Sequence, residues 1–264
     1  MTDNSLYDLW TKARLQGRVI WALTMREVIT RFGREGLGAF WLLAEPAMFI
    51  AGVLAIISHL ESFGRYSVVE YLAISYPTVL FWRNGTNRVI KAIEVNRALL
   101  HHQPIRPIDI IYSRILLEFS GGVGSFAILF PILVALNICH WPSNWLIFAL
   151  GYLLVIWFSY AFVLIMVALA ELSENVEKIS HIILYFMIPF SGVFLPLYEI
   201  PPVFRQPMMA FPLIDAVEYF HYGYYGREMP TYYNLPWALF STLALTLIGY
   251  ALVNISIQRV QLER

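Results

Sequence analysis

Six stretches of this chain, 37–60, 66–82, 110–137, 143–170, 179–197 and 235–258, carry between them only four charged side chains, Glu45, Glu70, Arg114 and Glu118. A helix rises about 1.5 Å per residue, so crossing a hydrocarbon core about 30 Å thick takes roughly 20 mostly apolar residues. Five of the stretches reach or approach that length as they stand. The 66–82 stretch is shorter but can continue past Trp82, with Arg83 and Arg88 snorkelling to the interface. The pattern predicts an all-α polytopic membrane protein with six transmembrane helices. A soluble protein with buried helices would need amphipathic covering helices that are missing here. The composition, 59% hydrophobic against 14% charged, points the same way.

Eighteen basic and eighteen acidic residues cancel, so net charge gives no reason to expect a nucleic-acid partner. The placement of Lys and Arg is informative instead. Fifteen fall in or beside segments 1–36, 83–109, 171–178 and 259–264, and three, Arg65, Arg205 and Arg227, fall on the other side. The positive-inside rule then predicts both termini in the cytoplasm. Residues 1–18 carry both signs of charge and no apolar core, which predicts a retained N-terminus rather than a cleaved leader. Cys139 is alone, which excludes an internal disulfide and a cysteine-based zinc site. The expected organisation is a cytoplasmic N-terminus (1–36), one six-span domain (37–258) and a short cytoplasmic tail (259–264).

Three segments outside the spans have character of their own. Before the first span, Trp21, Met25, Val28, Ile29 and Phe32 share one helical face, while Arg26, Glu27, Thr30, Arg31 and Arg34 fall opposite. This predicts a helix lying in the membrane plane, with Glu27 and Arg31 pairing one turn apart. It serves either as an anchor or in admitting an anionic lipid-linked substrate. The loop 83–109 is long and mixed in polarity, with a helix expected over 86–102 that Pro104 and Pro107 terminate. It is either a solvated connector or a docking surface, and the Leu99–Leu100 pair favours the second. Segment 198–234 holds ten Tyr or Phe among repeated prolines, which predicts short broken helices dipping back into the outer leaflet. Those aromatics serve either as an interfacial belt or as a gate of stacking surfaces, with Tyr219, Phe220, Tyr222, Tyr224 and Tyr225 the candidates.

Catalytic signatures are missing. There is no G-x-x-x-x-G-K-[ST], so the chain is not expected to hydrolyse nucleotide itself, and neither H-E-x-x-H nor G-x-S-x-G occurs. Of the intramembrane carboxylates, Glu118 has Arg114 one turn earlier as an expected partner, Glu45 precedes Pro46 near the interface, and Glu70 lies near a span end. Two other classes compete with a permease. One is a membrane-embedded enzyme acting on lipid-linked sugars, with His101, His102 and Asp109 as acid/base groups. The other is an ion-coupled carrier using Glu70 and Glu118, which lacks the paired broken segments of such carriers.

The segments MREVITRFGREGLGAFWLLAEP (25–46), KAIEVNRALLHHQPIRPIDIIYSRILLE (91–118) and FPLIDAVEYF (211–220) together resemble the type-2 ABC transporter permeases that export capsular polysaccharide, the KpsM-like proteins, with O-antigen permeases as relatives. The resemblance covers essentially the whole chain. Phe211 and His221 stand where such permeases tend to carry Asn and Arg.

This resemblance implies a half-channel in the bacterial inner membrane. It would work with a second copy of itself and two copies of a separate nucleotide-binding ATPase that holds ATP and Mg, no cofactor being bound by this chain. The resemblance implies a coupling helix over 91–103 with Glu94, Asn96, Arg97, Leu99, Leu100 and His101 as ATPase contacts. It also implies a substrate entrance near Arg26, Arg31, Arg34 and Glu45. A path along Phe40, Trp41, Tyr71, Tyr76 and Trp82 would carry a glycolipid-linked polysaccharide towards a periplasmic adaptor (a polysaccharide co-polymerase) and an outer-membrane channel.

Overall fold

The computed structural model describes residues 3–33, 37–57, 67–101 and 105–262. Among them the chain is helical, with no strand: α1 (Asp3–Phe32), α2 (Leu37–Ile57), α3 (Val68–Val89), α4 (Ala92–Val95), a 3₁₀ turn (Arg97–His101), α5 (Pro107–Ala135), α6 (Trp145–Leu172), α7 (Glu174–Met187), α8 (Pro202–Met208), α9 (Pro212–Tyr225) and α10 (Leu235–Leu262), with two further 3₁₀ turns between α7 and α8. Three of these helices, α5, α6 and α10, are long and apolar enough to cross a membrane.

Helix α6 is the axis of the bundle, with α3, α9 and α10 packed around it. Its 28 residues span about 42 Å. The Asn144 carboxamide caps its start by accepting from the Ile147 N–H at 3.1 Å. Val155, Phe158, Ala161, Val163, Leu164 and Val167 are all fully buried.

The contact of α6 with α9 is made at backbone distance. A Cβ on Gly151 would lie 2.5 Å from the Phe220 Cα, and one on Gly223 would lie 2.2 Å from the Phe148 N. Small residues that bring helix backbones together are the usual way of packing helices in lipid, where apolar burial alone gives no preference for a neighbouring helix over lipid tails. The approach is sealed by Ser143 and Asn144, whose N–H groups donate to the Tyr224 and Gly223 carbonyls at 2.9 Å each. Those bonds satisfy two of the carbonyls that the end of α9 leaves open.

Two expectations from sequence change shape. The stretch 179–197 does not form one long helix: α7 stops at Met187 after 14 residues, a 3₁₀ turn covers Pro189–Ser191, and Gly192 takes φ 72°. Pro189 and Pro196 each withhold an N–H, and a helix does not run through two such positions with a left-handed glycine between them. The helix expected over 86–102 is also divided. α3 continues to Val89, α4 is one turn, and the chain tightens into 3₁₀ geometry. Asn96 is the cause. Its side chain donates to the Ala92 carbonyl at 3.0 Å, while its own N–H reaches the Ile93 carbonyl at 3.2 Å, so the side chain occupies an acceptor that continued α-helix would use.

Helix α1 packs on α5 through Leu23 and Thr24. Trp21 on its other face is 59% exposed and Ile29 68%.

Gly223→Ala is expected to destabilise the protein, because the new methyl meets the backbone of Phe148 rather than a flexible side chain. Overpacking of this kind costs about 1–3 kcal/mol, and a lowered thermal unfolding midpoint in detergent, relative to Gly52→Ala in open space, measures it.

Candidate functional site

The segment between α3 and α5 is built as a platform with two faces. Ala92, Ile93 and Leu100 are buried in a cluster with Ile110 and Ile111 of α5 and Val163 and Val167 of α6, and Ile90 is buried as well. Lys91, Glu94, Val95 and Arg97 point outward, and Val95 is 64% exposed. Of the residues expected to contact a partner, Glu94 and Arg97 are therefore presented, Leu99 is half-buried, and Asn96 and Leu100 face inward. Val95, an apolar side chain standing clear between two charges, is the residue that sequence reasoning passed over.

A layer of charge holds this platform from beneath. Asn84 of α3 donates to both Glu45 oxygens at 3.2 and 3.3 Å, joining α3 to α2. Arg88 pairs with Glu118 of α5 at 2.9 Å. Arg114 of α5 pairs with Glu27 of α1 at 3.3 Å and also donates to the Arg88 carbonyl at 3.1 Å. Arg26 donates to the Asn96 carboxamide at 3.3 Å, tying α1 to the platform. One expected pair is thus replaced, Glu118 taking Arg88 rather than Arg114, and Glu27 is held by Arg114; the expected Glu27–Arg31 pair falls on a side chain outside the described residues. The exchange is a matter of reach, because each carboxylate sits at a helix crossing where a cation from the neighbouring helix brings a hydrogen bond as well as charge. Asp109 is buried and caps the start of α5 by accepting from the Arg106 N–H at 3.0 Å. That holds it as a structural carboxylate.

Lys91 is held from the far side by Glu177 of α7 at 2.6 Å. The hydrogen bond and charge of Glu177 keep the Lys91 ammonium above the ordinary lysine value, so Lys91 stays charged throughout the physiological range.

At the opposite end of α3 lies a second polar cluster. Glu70 accepts from the Tyr224 hydroxyl at 2.7 Å and from the His140 N–H at 3.2 Å. His221 of α9 is fully buried, with its Nε2 2.6 Å from the Ser75 hydroxyl and its Nδ1 3.4 Å from the Tyr71 hydroxyl. Two buried carboxylates of α9 anchor the chain that leads into α10. Glu218 accepts from the Tyr232 N–H at 2.8 Å, and Asp215 from the Asn234 N–H at 2.7 Å. Among the aromatics expected at an outer gate, Phe220, Tyr224 and Tyr225 are buried, whereas Tyr219 and Tyr222 are half-buried and meet the Tyr233 ring at 5.1 and 5.6 Å.

Among the residues expected along a path, Phe40 is 60% exposed, while Tyr71, Tyr76 and Trp82 lie inside the bundle. Tyr76 stacks on Phe49 of α2 at 3.6 Å. In this conformation those three rings bind helices to one another and offer almost no free surface. Arg34 and His102 lie outside the described residues, as do the side chains of Arg31, Trp41 and His101.

Residues 18–225 match the family model described as "ABC-2 type transporter". The chain belongs to the ABC-2 type transporter family. This permease is 32% identical over 91% of both chains to a capsule polysaccharide export inner-membrane protein, BexB, of Haemophilus influenzae. It is 31% identical over 93% of both chains to the capsule polysaccharide export inner-membrane protein CtrC of Neisseria meningitidis serogroup B. It is 29% identical to the polysialic acid transport protein KpsM of Escherichia coli, over 88% of this chain and 90% of that one. An ABC-2 permease is a transport protein and not an enzyme, and its similarity to inner-membrane proteins agrees with α5, α6 and α10 in placing it in that membrane.

Burial pushes the Asp215 carboxyl up to about 6, against the lowering effect of the Asn234 N–H. The value exceeds that of the unfolded chain, so the ionised form is disfavoured in the fold. The penalty is present above pH 6 and fades as pH falls through 6 towards 3.8. Asp215→Asn, which keeps an acceptor for Asn234, is expected to remove that part of the pH dependence. Unfolding midpoints of both proteins at pH 5 and pH 7 measure it, with the difference between them larger at pH 7.

Proposed function

We propose that this permease is the membrane half of an ATP-driven exporter that moves glycolipid-linked capsular polysaccharide from the cytoplasm across the inner membrane. Six spans, formed by α2, α3, α5, α6, the α7 region and α10, put both termini and the platform 91–101 in the cytoplasm, with α8 and α9 re-entering from the outer side. The functional unit is a pair of these chains with two ATPase subunits that bind ATP and Mg. The polymer passes between the two chains towards a periplasmic adaptor and an outer-membrane channel. Arg26, Arg31, Arg34 and Glu45 border the entrance, and the exposed Phe40 is the path residue best placed to meet substrate.

The observation that carries this reading is the platform itself. A protruding Glu94–Val95–Arg97 edge stands on a buried base and is tied to α1 by Arg26 and to α7 by Lys91. A solvated connector has no use for such bracing, whereas a surface that receives force from a partner needs it. The names of the similar proteins supply the cargo class.

Val95→Asp combined with Arg97→Glu leaves the buried face intact and is expected to weaken ATPase association by about tenfold or more, as loss of an interface anchor does. Co-purification of the ATPase with the membrane-inserted variant measures this. Undiminished association would remove the platform from the ATPase interface.

A further inference from the structure

The face formed by α3 and α7 carries polar groups that do not suit a surface against lipid tails. Arg83 lies six residues before the end of α3 at Val89, about 9 Å short of the platform. It is half-buried, and its guanidinium turns across to α7, with Nη2 3.3 Å from the Tyr185 hydroxyl and the charge 5.1 Å from the centre of that ring. It also interacts with the Tyr76 hydroxyl. Its Nε is buried without a partner, and among the described residues no carboxylate pairs with it. Neutral hydroxyls and a ring face are what this cation has within the protomer.

Helix α7 extends the same polar face. It is packed along a narrow strip, with Ser180 and Leu184 buried and Glu177 reaching Lys91. Beside that strip His181 and Tyr185 stand exposed, one turn apart, on the side from which Tyr185 meets Arg83. His181 interrupts an isoleucine-rich run and makes no ion pair or hydrogen bond among the described residues. Helix α10 shows the contrast: Leu239, Phe240, Leu243, Leu247 and Ile248 are its exposed side chains along the middle of the helix, a face suited to lipid. Setting a guanidinium and an imidazole against acyl tails is costly, and ionisable groups within a span face a partner or a water-filled path.

We propose that Arg83, His181 and Tyr185 line the wet path of the exporter and form a subsite for the anionic groups of an acidic polysaccharide. The planar guanidinium matches the oxygens of a carboxylate or phosphate, which lone hydroxyls do not. Tyr185 offers a sugar ring a flat face and a hydroxyl, and His181 adds a hydrogen bond one turn nearer the cytoplasm. Because Arg83 lacks a carboxylate of its own, a passing anion meets no internal competitor. This inference rests on the export reading above and adds to it the charge class of the cargo.

The first test needs neither ATP nor polymer. In the full permease carrying Cys139→Ala, which removes its one native cysteine, His181→Cys and Ile248→Cys are compared in lipid nanodiscs. The probes are two membrane-impermeant thiol reagents, the anionic sulfonatoethyl and the cationic trimethylammonioethyl methanethiosulfonates. The thiol at 181 is expected to react about tenfold faster than the one at 248 and to favour the anionic reagent, and adding Arg83→Gln is expected to cut that preference about fivefold or more, as loss of a nearby steering charge does. In cells, Arg83→Gln is expected to lower surface polymer about fivefold or more while polymer accumulates inside, and Arg83→Lys to restore most of it. A thiol at 181 no faster than the one at 248, as burial against lipid or a second copy gives, overturns the subsite, as does a charge preference that Arg83→Gln leaves unmoved. The 181 against 248 comparison keeps Arg83 in place, so it decides the matter even if Arg83→Gln folds badly. Surface polymer unchanged when the permease is deleted overturns the export reading, and this inference with it; failed labelling where export does depend on the permease overturns this inference alone.

Discussion

The backbone approach of α6 and α9 at Gly151 and Gly223 is the constraint on which the rest of one end of the bundle depends. Two helices in lipid gain nothing by merely hiding apolar side chains from each other, since lipid tails would serve as well. What holds them is close packing and hydrogen bonds that lipid cannot supply. With no side chain at either glycine, α9 comes near enough for the 143–144 backbone to bond its last carbonyls. The same approach carries Phe220 onto the Phe148 ring at 4.5 Å and delivers His221 to Ser75, and Tyr224 to Glu70. The polar contacts of α9 are therefore consequences of that steric fit. They could not form at an ordinary helix separation of 8–10 Å or more.

The other end is organised by charge. Removing an ion from water is expensive unless a partner and hydrogen bonds are waiting. The chain meets this by placing Glu27 of α1, Glu45 of α2 and Glu118 of α5 against donors on neighbouring helices: Glu27 with Arg114, Glu45 with Asn84, Glu118 with Arg88. These contacts specify which helices lie side by side more sharply than apolar packing does, because a slipped helix leaves a charge stranded. The platform of Ala92–His101 rests on this layer. Arg114 shows the economy of the arrangement, bonding one carboxylate and also the carbonyl of Arg88, the residue that serves the other.

How much of this the chain announces depends on the range of the interaction concerned. Continuous apolar runs made α5, α6 and α10 legible, since a helix of that length is decided by local composition. The same rule overreached at 179–197, where Pro189 and Gly192 inside an apolar run ended α7. It overreached again at 86–102, where the backbone leaves the α-helix at Ile90–Lys91 and again at Asn96. Exposure was harder still. Leu99 and Leu100 read as a docking pair, but once the helix breaks at Asn96 the periodicity no longer says which way Leu100 points, and it is Val95 that stands free. Tyr71, Tyr76 and Trp82 share composition with channel-lining aromatics, and only the approach of α2, α6 and α9 turns them into core. The partner of Glu118 was missed for a similar reason. Glu118 with Arg114 is a local choice along one helix, while Arg88–Glu118 and Arg114–Glu27 cross between helices distant in sequence.

Helix α3 joins the two ends. It runs unbroken from Val68 to Val89, with Glu70, Tyr71 and Ser75 bonded to α9 and the 136–144 turn at one end, and Asn84 and Arg88 in the charge layer at the other. It then passes through two residues into the platform. Pro77 withholds the N–H that would reach the Ala73 carbonyl, and in the same turn the Thr78 hydroxyl donates to the Ser75 carbonyl at 2.6 Å. The helix is thus stiff on either side of a single softened turn, and that turn lies directly beside the Ser75–His221 contact. Pro77, Thr78 and the Ser75–His221 contact thus fall within one turn of α3, so the place where its hydrogen-bond ladder lacks a donor is also the place where α9 is bonded to it.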